Sequence, residues 1–162
     1  MVWNIQKDLK SGNDLEKVVI KYLNDNIYFE DNLIKYENEM EQVDFRNKEI
    51  IGELKSRDCS KNRYFETMFG YNKIEHLKSL KNDYRIWKFY FLFTDGLYVW
   101  SYNEEQYDVR KFFHVEKQQL LDYVYVHRKD LECLTRRINS KMTYQEQIEY
   151  INRTSQENVQ SS

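Results

Sequence analysis

Apolar positions along the chain change their period several times, and each change marks an element. Leu15, Val18, Val19, Tyr22 and Leu23 recur at helical spacing directly after Gly12, Asn13 and Asp14, a breaker and N-cap signal. A helix is therefore predicted over residues 14–24, with Glu16 off the main apolar stripe at one edge of the packed face. Residues 26–29 and 33–36 read as strand-like connector. Two runs of period two follow, 41–46 and 49–56, and Asn47-Lys48 between them suits a tight hairpin turn. Alternation puts Asp44 with Gln42 and Arg46, opposite Val43 and Phe45. In the second run it puts Ile51, Glu53 and Lys55 on one face and Ile50, Gly52 and Leu54 on the other.

Helical spacing returns over residues 64–80 through Phe65, Met68, Phe69, Ile74, Leu77 and Leu80, with a break near Gly70. Residues 85–93 form a strongly aromatic strand, Asp95-Gly96 is a hairpin turn signal, and 97–102 is the return strand. Further strands are expected at 109–115 and 123–126, a helix at 128–138, and an amphipathic stretch at 143–151. Neither an internal repeat nor a Gly/Ser-rich linker divides the chain, so residues 1–152 are expected to be one domain and 153–162 a mobile C-terminal tail. The predicted class is α/β (α+β), a mixed sheet flanked by helices.

Composition adds little to the fold but narrows the setting. Aromatics reach 16% of the 162 residues, so Tyr and Phe supply much of the buried area. Proline and alanine are absent while Asn, Lys, Ile and Tyr abound, a bias that fits an AT-rich genome of the viral or mobile-element kind. Cys59 and Cys133 show no metal-binding or disulfide spacing, and His76, His114 and His127 share no ligand or triad spacing. No stretch approaches the roughly 20 apolar residues of a membrane helix, so a soluble, intracellular protein is expected, in cytoplasm or nucleus. Net charge is −2, yet residues 46–88 carry 11 Lys or Arg against 6 Asp or Glu. That local excess suits either a basic strip for nucleic acid or a solvated surface.

Phosphodiester hydrolysis needs an activated water and a clamp on developing negative charge. Two carboxylates on adjacent strands can hold Mg²⁺ through hard oxygen ligands at about 2.1 Å. Asp44 and Glu53 are placed to do this, and Lys55, two residues beyond the second acid, projects from the same face. Arg57, Lys61 and Arg63 after the triplet either contact phosphates or line a solvated loop. Glu41 is a further acid whose plain reading is a surface carboxylate, and Tyr64 and Tyr71 are aromatics that stack on bases or join the core.

The order of a helix with Glu16, a strand with Asp44 and a strand with Glu53-Leu54-Lys55, then a helix and another strand, resembles the PD-(D/E)XK nuclease superfamily. The resemblance covers residues 13–102, with Val43 where the motif's proline would precede Asp44. It implies a restriction-endonuclease-like αβββαβ core and a metal-dependent nuclease. Asp44 and Glu53 would hold Mg²⁺ or Mn²⁺ with the backbone carbonyl of Leu54, Lys55 would activate water, and Glu16 would be the supporting acid. Lys73 falls where the superfamily places a polar residue reaching into the site. DNA is implied as partner over RNA, no membrane is involved, and concerted cutting of two strands requires a homodimer. The alternative is an inactive module of the same fold that binds nucleic acid or a protein partner.

Overall fold

The computed structural model describes residues 5–35, 43–81, 83–142, 145–146, 149–150 and 152–153, with the backbone alone for residues 5–14. Tyr36, Glu41, Gln42 and residues 154–162 of the expected tail at 153–162 lie outside the described residues, as do Thr143 and Ile151 of the expected amphipathic stretch, whereas Arg153 is helical. Tyr150 of that stretch is helical and buried.

Helix α1 (Ile5–Asn26) runs straight through Gly12, Asn13 and Asp14, so the expected N-cap is an interior turn. A single glycine costs a helix only about 1 kcal/mol, which the remaining turns outweigh. The helix ends where the Ile27 and Tyr28 N–H groups both donate to the Leu23 carbonyl at 2.8 Å. Asn26 reinforces this stop by donating its side-chain amide to the Tyr22 carbonyl.

A six-stranded sheet follows, built from β1 (Ile34–Lys35), β2 (Phe45–Arg46), β3 (Ile50–Ser56), β5 (Ile86–Phe93), β6 (Gly96–Ser101) and β9 (Glu132–Thr135), side by side in that order. Only the β3–β5 contact is parallel; the others are antiparallel. Asn47 builds the β2–β3 turn, its side-chain oxygen accepting from the Glu49 and Ile50 N–H groups at 2.8 Å each. A second, three-stranded sheet holds β4 (Glu66–Gly70), β8 (Gln119–His127) and β7 (Tyr107–His114), in the order β4-β8-β7. Helix α2 (Asn72–Ser79) connects β4 towards β5.

Alternation along the strands divides the interior into two apolar layers. Leu15, Val18, Val19 and Leu23 of α1 pack on Ile50, Tyr90, Leu92, Leu97 and Val99. On the opposite face Ile74 and Leu77 of α2, with Phe69, Val124 and Val126 of the second sheet, cover Ile51, Phe89, Phe91 and Trp100. The α+β class and the mixed sheet flanked by helices are thus as expected.

Two expected helices are corrected. Residues 64–80 contain strand β4 followed by α2, because Phe65, Met68 and Phe69 do not share a face: Phe69 is 2% exposed and Phe65 is 69% exposed. Residues 128–138 form a 3-10 turn (Arg128–Asp130) and then β9. Leu131 and Ile138 belong to opposite apolar layers, which one helix face cannot serve. The run at 41–46 also shortens, since Val43 and Phe45 enter different layers and regular pairing begins only at Phe45.

Candidate active site

Phe45 pairs with Gly52, and one residue earlier the Asp44 N–H still donates to the Gly52 carbonyl at 3.0 Å. The next rung is made by a side chain: the Asp44 carboxylate accepts the Leu54 N–H at 2.7 Å. Asp44 therefore caps the β3 edge where strand pairing with β2 stops. The N–H and C=O of one strand residue face the same edge, so the Leu54 carbonyl projects beside Asp44.

Glu53, next along β3, points to the α2 side with Ile51 and is 4% exposed. Its Oε1 meets Lys55 Nζ at 3.1 Å and Lys73 Nζ, from the first turn of α2, at 3.2 Å. The sequence expectation that Glu53 and Lys55 share a face holds, and Lys73 reaches the same carboxylate. Oε2 is buried without a hydrogen-bond partner. Burial raises the Glu53 pKa, and the Asp44 charge raises it further against the lowering pull of Lys55 and Lys73.

Glu16 arrives from α1 on the other side of the sheet. Burial raises its pKa first, Lys35 opposes this with a hydrogen bond and an ion pair at 2.9 Å, and contact with Asp44 adds to the rise. Asp44 is thus the middle member of a chain of three carboxyl groups, Glu16 towards one face and Glu53 towards the other. Lys35 is the site residue that sequence reasoning missed; β1 brings it beside Asp44 only through tertiary pairing with β2.

The cations after the triplet go elsewhere. Arg57 is half-buried and donates to the Ser56 and Met68 carbonyls, its guanidinium lying 5.9 Å from the Phe91 ring centroid. Lys61 lies over Tyr98 and Arg63 over Tyr64. Arg85, in the same basic segment, is paired with Asp83. Much of the local basic excess is thus internally engaged. His114 and His127 each accept a backbone N–H through Nδ1, from Lys117 and Lys129, which is a turn-forming role.

Among the described residues no three His, Cys, Asp or Glu side chains gather closely enough to hold a metal ion by themselves. The oxygens available to a cation beside β3 are two carboxylates and one backbone carbonyl, and of these Glu53 Oε2 is buried without a hydrogen-bond partner. No helix among the described residues is long and apolar enough to cross a membrane. Compared with family models, curated proteins and solved structures, the chain matches none of them.

Proposed function

We propose that the chain is a metal-dependent nuclease of the PD-(D/E)XK kind, hydrolysing phosphodiester bonds of nucleic acid, DNA in preference to RNA. One observation carries the reading: Asp44 and Glu53 flank Leu54 closely enough for one charge to raise the other's pKa, with Lys55 on Glu53 Oε1. Two carboxylates brought together beside a buried strand repel each other, a cost that one cation shared between them would offset. The succession α1, β1, β2, β3, α2, β5, with antiparallel pairings and then a parallel one, also agrees with the expected αβββαβ order, β4 being an insertion before α2.

The donor set suits Mg²⁺ or Mn²⁺, which prefer hard oxygens and retain several waters. Asp44, Glu53 and the Leu54 carbonyl would hold the ion. Once bound, it supplies positive charge that polarises a phosphoryl oxygen and acidifies a water. Lys55 does the positioning: its ammonium has three donors, one directed at Glu53, leaving others to orient solvent for attack. Lys73 balances the charge of Glu53 at the same oxygen as Lys55. Glu16 supports Asp44, and Lys35 holds Glu16 in place.

The test is cleavage of a panel of duplex, single-stranded and branched DNA and RNA with Mg²⁺ and Mn²⁺, comparing the wild type with Asp44→Ala and Glu53→Ala. Metal-dependent cleavage lost in both variants is expected. A wild type inert on every substrate that still binds nucleic acid or protein would replace this reading by that of a binding module on the same fold.

A further inference from the structure

Beyond the C-terminal end of β3, the segment after Arg57, strand β4, the end of β5, Tyr125 of β8 and the 3-10 turn before β9 line a cavity of about 500 Å³. That volume lies within the roughly 300 to 1,000 Å³ of small-molecule sites. Glu16, Asp44, Glu53 and Lys55 do not line it. Its deep walls are apolar, Phe93 and Leu131 being 3% and 7% exposed. Its rim carries Tyr64 and Phe65, which are 63% and 69% exposed although nothing in the fold requires two aromatic rings in solvent.

Charge distinguishes this cavity from a packing gap. Arg57, Lys61 and Arg128 all line it, and among the described residues none of the three forms an ion pair. Glu66 also lines it but is committed to Arg110. Arg57 is the telling member, since a guanidinium withdrawn from water normally takes a carboxylate partner. Here the Ser56 and Met68 carbonyls are its partners, which leaves N–H groups for a further acceptor. Arg128 lies 4.6 Å from the Phe65 ring centroid, a cation over an aromatic face, and donates to the Asn62 carbonyl, which leaves further N–H groups for an acceptor.

We infer that this cavity binds a planar aromatic ring carrying an anionic group, the chemistry of a nucleobase with its phosphate. The ring enters between Phe65 and the apolar walls, and the phosphate meets Arg128 and Lys61 at the rim. Base–aromatic stacking tolerates any base, and arginine's fork suits phosphate oxygens. A free mononucleotide and an unpaired nucleotide within a strand share this chemistry. The inference does not rest on the carboxylate site.

Calorimetric titration of the full chain in EDTA separates the two sites, because chelation silences any metal chemistry. The titrants are AMP, GMP, CMP and UMP, adenosine, inorganic phosphate, and a duplex with or without one unpaired base. Saturable binding of a mononucleotide, weaker for adenosine and for phosphate alone, is expected. Phe65→Ala and Arg128→Gln, both at the rim, should each lower affinity about tenfold or more, the size of a lost stacking or charged contact, with the fold retained by circular dichroism. Binding restricted to the duplex with an unpaired base, and weakened by Phe65→Ala, assigns the site to a nucleotide within a strand. No saturable binding of any titrant, or full affinity in both variants, overturns the inference.

Discussion

Replacing Glu53 with glutamine is expected to stabilise the protein at neutral pH. The carboxylate is 4% exposed and its Oε2 has no hydrogen-bond partner, while Asp44 adds like-charge repulsion. A buried polar atom without a partner costs about 1–3 kcal/mol, and more when charged. Glutamine keeps an oxygen for Lys55 and Lys73 and places an amide donor on the side of Asp44. Against this stands the weakening of two lysine contacts; their side chains are 28% and 20% exposed, so each counts as a screened pair of roughly 0.2–1 kcal/mol. The net gain is about 1 kcal/mol, or roughly 2–4 °C in Tm for a chain of this length.

The pH dependence makes this prediction specific. A carboxyl whose folded-state pKa lies above its unfolded value stabilises the fold while protonated, and that contribution is lost as pH rises through the folded pKa. The Glu53 pKa is raised above its ordinary value of 4.5. The Tm advantage of Glu53→Gln should therefore be small below that pH and widen above it. Calorimetric melts without divalent metal, from acid to neutral pH, measure this directly. A variant no more stable than wild type at neutral pH, or an advantage that does not shrink in acid, would refute the account of Glu53 as a strained, charge-burdened side chain.

Mn²⁺ should raise the wild-type Tm, since a ligand at about 100 times its Kd stabilises by about 2.7 kcal/mol, and should leave Asp44→Ala and Glu53→Gln unmoved; equal shifts in all three place the metal elsewhere. Lys55→Ala should lose about 10²- to 10⁴-fold in single-turnover cleavage, the usual share of acid–base assistance, while remaining folded with at most a modest drop in Tm; cleavage at the wild-type rate removes lysine from the mechanism. Gly52→Ala should be destabilised by about 1–3 kcal/mol through overpacking, because a Cβ there would lie 2.2 Å from the ring of buried Phe45; an unchanged urea midpoint would mean the ring yields freely.

The parts of the fold legible in the sequence were those set by neighbouring residues. Asp95-Gly96 turns the β5–β6 hairpin, and Gly96 adopts a φ of 148° that disfavours any side chain. The Glu53-x-Lys55 spacing fixed a common face because strand alternation is local geometry. Strand β4 was misread because in so short an apolar run helical and extended patterns overlap. β9 was hidden for another reason: Cys133 and Leu134 become a strand only because β6 offers a free edge. The order of Glu16, Asp44 and Glu53 was readable, but Asp44 as cap of the Leu54 N–H, and Lys35 as partner of Glu16, depend on chain segments distant in sequence.

Ile138 and Tyr150 sit in the same apolar layer as Leu15 and Val18 of α1. Helix α1 thus finds its complete seat only when residues 112 or more positions beyond its end at Asn26 have been made. At about 5–20 residues per second, roughly 6–22 s pass between the completion of α1 at Asn26 and the arrival of Ile138. During that interval the apolar face of α1 and the open edge of β6 are exposed, so production of this protein at high level should depend on chaperone capacity and slow translation more than on the stability of the finished domain.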